Sequence, residues 1–216
     1  MTQLKIAITG GIATGKSTVA RMFEDMGALI LDADQTARKA VEPESPCHGQ
    51  LQALLGHDYF DASGSLIRPK LRAGIIQDSE LRQKVNAVLH PFILSSMETA
   101  WKEHRKRDPS RLILFDIPLL FEIHFEPYFD RIILAYVPPA VQIRRLMQRD
   151  GLDHDQAVKT LDIQWPIDRK KEKSHIIIDN SGSREETLNQ VRRIWGELMD
   201  SQDFTAARAA VSCPGR

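Results

Sequence analysis

The sequence predicts an α/β protein built on a doubly wound, five-stranded parallel sheet. Five short apolar runs are continuous rather than alternating, which is typical of strands that are covered on both faces. Segments with a helical spacing of apolar residues lie between these runs, as expected when helices connect parallel strands. The predicted strands are Leu4–Ile8, Ala28–Leu31, Leu112–Phe115, Arg131–Tyr136 and His175–Ile178.

Length, charge and cysteine content narrow the class of protein. A chain of 216 residues suits one domain that carries a sizeable insertion. Its 29 basic residues balance 29 acidic ones, which argues against a protein that coats nucleic acid or an anionic membrane. Cys47 and Cys213 show no CxxC spacing, so neither a zinc site nor a disulfide framework is predicted, and a reducing cytoplasmic compartment fits best. No apolar run approaches the length of a membrane span.

Two long gaps between the strands predict additional segments. The gap from Asp32 to Leu112 is too long for one crossover and predicts a largely helical insertion. The gap from Val137 to Ser174 is rich in Arg and Lys, and apolar periodicity is lost after about Ser201. The predicted organisation is a nucleotide-binding core over 1–34, 110–140 and 174–200, a helical acceptor domain over 35–109, a lid over 141–173 and a frayed tail over 201–216.

The strongest motif is GGIATGKS at positions 10–17, a full match to the P-loop pattern GxxxxGK[ST]. It follows an apolar strand and precedes an amphipathic helix expected from Ser17 to Met26, so a P-loop NTPase fold is favoured over a simple glycine-rich turn. The glycines let successive backbone N–H groups approach phosphate oxygens. Lys16 is expected to reach the β- and γ-phosphates of ATP, and the Ser17 hydroxyl is suited to bind Mg²⁺. The candidate nucleotide-binding residues of the loop are Ala13, Thr14, Gly15, Lys16, Ser17 and Thr18.

The kind of P-loop protein follows from size and from the motifs present. The chain has no NKxD guanine-reading motif, and its core is small for a mechanical ATPase or a transporter subunit. A small-molecule kinase needs insertions that hold the acceptor and exclude water, and this chain has two. Another kinase of the nucleoside monophosphate or sugar-like alcohol type, and a regulatory protein that uses ATP as a switch, remain alternatives.

Carboxylates follow two of the predicted strands. Asp32 and Asp34 follow the second strand, at the sheet edge where ligands bind in open parallel sheets. Strand alternation would place both on one side, so either can be the base that accepts a hydroxyl proton, and a helix N-cap is the alternative role. Asp116 ends the third strand, where it can contact Mg²⁺ through water or cap the next turn, with neither role favoured.

Arg145 and Arg149 lie four residues apart in the basic segment after the fourth strand. On a helix they would project from one face, and two planar guanidinium groups suit the oxygens of ATP phosphates. The alternative is a solvated helix face. We interpret the pair as phosphate-binding residues of the lid.

Taken together, these motifs resemble the dephospho-coenzyme A kinase family over nearly the whole chain, from Leu4 to about Leu198. The P-loop alone would indicate only a superfamily, whereas the other segments are more specific. The segments that carry the resemblance are ITGGIATGKSTVA at 8–20, LDADQTARKAVEP at 31–43, NAVLHP at 86–91, PLLFE at 118–122, QIRRLMQRD at 142–150 and IIDNSG at 177–182.

The resemblance implies ATP-dependent phosphorylation of the 3′-hydroxyl of the ribose of dephospho-CoA, the last step of coenzyme A synthesis. It assigns the base to Asp34, a lid arginine to Arg145, and part of the substrate pocket to Thr9. It also places His90 and Pro91 on the acceptor side. Two further residues, Asn180 and Gly182, would lie in the loop near the donor adenine.

The expected ligands are therefore ATP, Mg²⁺ and a small-molecule acceptor. Neither nucleic acid nor a membrane is expected as a partner, and we expect a cytoplasmic monomer or weak oligomer.

Overall fold

The computed structural model describes the backbone of residues 4–211 and the side chains of residues 4–200. The chain forms two compact units. One comprises Met1–Leu31 and Arg107–Arg216, and the other comprises Asp32–Lys106. The domain boundaries drawn from the sequence, including the lid over 141–173, remain predictions.

Five strands form a single parallel sheet in the order β2-β3-β1-β4-β5. The predicted fold class is confirmed, and each predicted strand lies within two residues of an observed one. The central strand β1 pairs with β3, where Ile8 lies beside Asp116, and with β4, where Gly10 lies beside Ala135. The strands are β1 (Ile6–Gly10), β2 (Leu29–Asp32), β3 (Ile113–Asp116), β4 (Arg131–Tyr136) and β5 (Ile176–Asp179).

The described residues include nine α-helices. They are α1 (Lys16–Asp25), α2 (Ala33–Ala40), α3 (His48–Leu55), α4 (Arg68–Gln77), α5 (Ser79–Arg107), α6 (Pro139–Asp150), α7 (His154–Leu161), α8 (Ile167–Glu172) and α9 (Arg184–Val211). Within this described part of the chain, no helix is both long enough and apolar enough to cross a membrane.

The core of the first unit explains why the apolar runs are continuous. Alternate residues of β1, Ile6 and Ile8, are fully buried in the cluster that also contains Phe23 of α1 and Ile194 of α9. The intervening residue Ala7 is also fully buried, so both faces of the strand are covered. Burial of both faces removes the alternation that a half-exposed strand would show.

The second unit consists of α2 to α5 and has its own apolar core. This core is centred on Leu51 of α3, Leu71 of α4 and Val85 of α5. The long helix α5 contains Pro91 in its interior. An apolar core of its own is what a separate compact unit requires.

One sequence-based expectation is wrong in detail. The chain turns helical at Ala33, so Asp34 lies in α2 rather than on the strand, and the argument from strand alternation does not apply to it. The helix α9 continues as far as Val211, into the segment 201–216 that is predicted as a tail. Cys213 lies outside the described residues.

Candidate active site

The P-loop connects β1 to α1 through two left-handed residues. Ala13 and Gly15 have φ angles of 59° and 80°. A Cβ on Gly15 would also collide with the side chain of Asn180, so both backbone conformation and space require glycine there. The buried Thr14 donates its hydroxyl to Gly11 O at 2.8 Å, which closes the loop on itself. The chain thus enters α1 at a helix N-terminus, the end that binds anions.

Two glutamines from outside the loop hold its backbone at Ile12. The buried Gln142 of α6 donates its side-chain amide to Ile12 O at 2.6 Å. Gln164, in the segment between α7 and α8, accepts the Ile12 N–H through Oε1 at 3.0 Å. Neither glutamine was assigned a role from the sequence. Gln142 begins the segment QIRRLMQRD that carries the family resemblance, whereas Gln164 lies in no motif.

Asn180 and Arg145 hold the next part of the loop. The Asn180 side chain follows β5, is 8% exposed and donates Nδ2 to Thr14 O at 2.8 Å, while its Oδ1 accepts the Thr187 hydroxyl at 3.0 Å. The guanidinium of Arg145 donates to Asn180 O at 2.8 Å and to Ala13 O and Thr14 O, both at 3.4 Å. Arg145 therefore reaches the P-loop through backbone carbonyls, and its role in phosphate binding stays a prediction.

Lys16 and Asp116 form an ion pair between the first residue of α1 and the last residue of β3. Only 15% of the Lys16 side chain and 12% of the Asp116 side chain are exposed. The sequence left a metal contact and a turn cap open as roles of Asp116, and its pairing with Lys16 is found only in the structure. Ser17 lies next to the pair and is exposed. Among the residues described, no group of three or more His, Cys, Asp or Glu side chains is placed to hold a metal ion on its own.

The P-loop borders a cavity of about 280 Å³ that also includes Pro118, Arg149 and Gln164. Arg149 forms a bidentate pair with Asp150, with both N–O distances at 2.8 Å. The hydrogen bonds that Arg149 donates to the Asp150 carboxylate raise the pKa of Arg149 above its ordinary value, so the guanidinium stays charged. A cationic group beside backbone N–H donors makes this cavity suited to phosphate.

The candidate acceptor residues belong to the other compact unit. Asp32 caps α2, because its carboxylate accepts the Gln35 N–H at 3.0 Å, whereas Asp34 is exposed in the first turn of the same helix. His90 is half-buried in α5, and this burial lowers its pKa below the ordinary value of 6.5. Pro91 follows it and is exposed.

The remaining candidates lie at the ends of the sheet and of α1. Thr9 is fully buried in β1 and donates its hydroxyl to Pro118 O at 3.3 Å, which links two neighbouring strand ends. Thr18 is exposed in the first turn of α1. Gly182 is exposed after β5, where a Cβ would collide with Glu186.

Comparison with known proteins identifies the family. The dephospho-CoA kinase family model matches residues 4–186. A dephospho-CoA kinase from Geobacillus kaustophilus is 38% identical over 191 residues, which cover 88% of this chain and 94% of that protein. A dephospho-CoA kinase from Listeria monocytogenes is 40% identical over 186 residues, or 86% of this chain and 92% of that protein.

A solved structure shares the fold of this chain. A crystal structure of a Thermus thermophilus protein has a TM-score of 0.75 and 29% identity, and the match covers 92% of this chain and 99% of that one. The family predicted from the sequence motifs is confirmed. Because the family match extends from β1 through the P-loop and both carboxylate-bearing strand ends to the loop after β5, this chain belongs to the dephospho-CoA kinase family.

Proposed function

We propose that this protein transfers the γ-phosphoryl group of ATP to the 3′-hydroxyl of the ribose of dephospho-CoA, which yields coenzyme A. The observation that carries the proposal is a complete P-loop, with Lys16 held by Asp116, inside a family match over residues 4–186. A P-loop alone supports nucleotide binding, and family membership supports this acceptor.

The donor half of the reaction needs charge stabilisation more than covalent chemistry. In phosphoryl transfer, negative charge is spread over the oxygens of the transferred group, and fixed donors around that group lower the barrier. The loop from Ala13 to Thr18 would surround the β- and γ-phosphates, with Lys16 as its cation. Arg145 and Arg149 would supply guanidinium groups to the same phosphates from α6.

Mg²⁺ fits the oxygen donors at this position. The Ser17 hydroxyl and the Asp116 carboxylate are the residues that would hold it, directly or through water, because Mg²⁺ prefers oxygen ligands and retains several waters. When bound, the ion neutralises charge on the phosphates.

Asp34 is the proposed base on the acceptor side. The hydroxyl proton has to leave as the O–P bond forms, and a carboxylate within about 3 Å can accept it. The capping bond of Asp32 supports this choice, because the Asp32 carboxylate is already used to begin α2 while Asp34 is exposed. His90 and Pro91 would line the acceptor pocket, Thr9 would complete the substrate pocket, and Asn180 and Gly182 would lie near the donor adenine.

We further propose that ATP is the donor and that the protein acts in the cytoplasm on a small molecule, as a monomer or weak oligomer without nucleic acid or membrane. The composition supports this, since the formal charge is zero and the cysteines show no disulfide spacing.

The test is ADP release from Mg-ATP in the presence of a panel of acceptors: dephospho-CoA, AMP, CMP, shikimate and water. We expect rapid turnover with dephospho-CoA alone. Preference for AMP or CMP would support the nucleoside monophosphate alternative instead, and slow hydrolysis without any acceptor preference would indicate a switch protein. Either result would overturn the proposal.

A further inference from the structure

Lys170 of α8 is completely buried and lies behind the P-loop. Its Nζ donates to Gly10 O, the last carbonyl of β1, at 3.3 Å and pairs with Glu122 Oε1 at 2.7 Å. The neighbouring basic residues Arg169 and Lys171 are both exposed, so only one member of this basic run turns inward. A buried ammonium is costly unless it is paired and hydrogen-bonded, so Glu122 and Gly10 O are the groups that make burial of Lys170 possible.

Glu122 joins this lysine to the segment that precedes α8. Its Oε1 also accepts the Trp165 N–H at 3.0 Å, while its Oε2 is buried and has no hydrogen-bond partner among the described residues. The Trp165 ring stacks with the ring of Phe121 at 6.1 Å between centroids and meets the ring of His124 edge-on at 6.3 Å. The guanidinium of Arg169 lies 3.7 Å from the centroid of the same ring. The segment at Trp165 is thus held by one backbone hydrogen bond and by three ring contacts.

This fixed backbone bears directly on the P-loop. Gln164, the residue before Trp165, accepts the Ile12 N–H, and Lys170 binds Gly10 O two residues earlier in the loop. Lys170 and Glu122 therefore hold the loop at both ends of the stretch from Gly10 to Ile12. That stretch lines the phosphate cavity, whereas neither Lys170 nor Glu122 is among the lining residues described for it.

We propose that Lys170 and Glu122 are positioning residues, which fix the backbone between Gly10 and Ile12 in the geometry required for phosphoryl transfer. The inference rests on the proposed function and deepens it, because it assigns a kinetic role to a buried ion pair that does not line the phosphate cavity. Misplacement of a reacting group by about 1 Å can cost 10²-fold in rate, so a modest shift of this loop is enough.

The first experiment compares Lys170→Met with Lys173→Met, since Lys173 is exposed at the end of the same helix. For Lys170→Met we expect kcat to fall by about 10²-fold and the Kd for ATP to rise by about fivefold or more, with the KM for dephospho-CoA changed less than threefold. Lys173→Met is expected to match wild type. Lys170→Arg, which keeps the charge, is expected to recover part of kcat.

A second variant separates positioning from stability. Lys170→Met alone leaves the Glu122 carboxylate buried without its cation, so reduced folding stability is expected. Lys170→Met combined with Glu122→Gln removes both charges and still leaves an oxygen that can accept the Trp165 N–H, and removal of a whole buried pair often restores stability. We expect this double variant to regain most of the lost thermal stability while its kcat stays low, because the bond to Gly10 O is still absent.

Two results would overturn the inference. One is a kcat that recovers together with stability in the double variant, which would make the pair purely structural. The other is a Kd for ATP, measured by calorimetry without acceptor, that is the same for Lys170→Met and Lys173→Met. The measurement of ATP binding does not depend on enzymatic activity. A wild-type protein that binds ATP but does not phosphorylate dephospho-CoA would overturn the proposed function. In that case the Kd for ATP in the two variants would still decide whether Lys170 positions the loop.

Discussion

Replacement of Asn180 by alanine is expected to weaken both the fold and the P-loop. The change removes two hydrogen bonds, to Thr14 O at 2.8 Å and from the Thr187 hydroxyl at 3.0 Å. Each is worth about 1 kcal/mol net. Both former partners keep a second hydrogen bond. Thr14 O still accepts from Arg145 at 3.4 Å, and the Thr187 hydroxyl still donates to Ser183 O at 3.1 Å. Neither group is therefore left without a hydrogen-bond partner. We expect a loss of about 2 kcal/mol in the free energy of unfolding, or about 4–8 °C in Tm.

The effect on nucleotide binding should exceed what stability alone explains. The bond to Thr14 O holds the P-loop, and loss of about 1 kcal/mol of that restraint corresponds to about a fivefold rise in the Kd for ATP. Thr187→Val offers a matched comparison, because it removes the hydroxyl bonded to Asn180 without touching the loop. We expect it to cost about 1–3 kcal/mol of stability, with little change in ATP affinity.

The measurements are urea unfolding for stability and calorimetry for ATP binding, with Asn189→Ala, at an exposed position of α9, as a neutral control. Equal ATP affinity in Asn180→Ala and Thr187→Val would refute the argument that Asn180 positions the loop. A loss of stability below about 0.5 kcal/mol in Asn180→Ala would refute the estimate from its hydrogen bonds.

Four further substitutions and one pH dependence follow from the site. Lys16→Ala is expected to lower kcat/KM by about 10³-fold through lost charge stabilisation, and also to lower thermal stability because its buried partner carboxylate loses the ion pair. Arg145→Lys keeps the charge but loses the planar fork, so kcat is expected to fall about 10²-fold with a smaller loss of ATP affinity. Asp34→Asn is expected to lower kcat by about 10²-fold at saturating substrates, whereas Asp32→Asn should mainly lower stability. Burial lowers the pKa of His90 in the folded state, so its contribution to stability is present above pH 6.5 and is lost as pH falls below that value. Urea unfolding at a series of pH values should therefore show a fall in the free energy of unfolding of wild type below pH 6.5. The fall should be smaller in His90→Gln.

Each of these has a control and a contradicting result. Arg144→Lys changes an exposed arginine next to Arg145, and we expect it to leave kcat unchanged. Equal values of kcat in Arg144→Lys and Arg145→Lys would support the interpretation of α6 as a solvated helix face. An active Asp34→Asn beside an inactive Asp32→Asn would move the base to Asp32. Normal turnover in Lys16→Ala would remove the P-loop as the phosphate site. Identical pH profiles for His90→Gln and wild type would contradict the effect of burial on this histidine.

The sheet could be predicted from the sequence because its signal is local. Burial of both faces makes a strand such as β4 a continuous apolar run, and the P-loop is a contiguous motif with a fixed spacing. The change from strand to helix at Ala33 was left open between two alternatives, since Asp32 suits the end of a strand and an N-cap equally well. The sequence contains the capping aspartate but does not decide which residue begins the helix.

Contacts to the P-loop from distant segments could not be predicted. Gln142 and Gln164 are ordinary polar residues until the fold brings them to Ile12, about 130 and 150 positions away. Lys170 lies in a run of basic residues that is typical of a solvated helix face, and only packing shows that one member is buried. Asn180 was marked by family resemblance alone, which gave its neighbourhood but not its bond to Thr14 O.

Three alternate carbonyls of the loop are bound from outside it, and this pattern explains how the loop is organised for catalysis. Gly10 O accepts from Lys170, Ile12 O from Gln142, and Thr14 O from Asn180. Carbonyls that are held on the outer side favour N–H groups on the inner side, which is what a phosphate nest needs before the substrate arrives. Two of these donors lie in the segment 141–173 that we predict as a lid. Both donors contact the loop in this structure, so α6 and α8 are the helices of that segment that hold P-loop carbonyls in place.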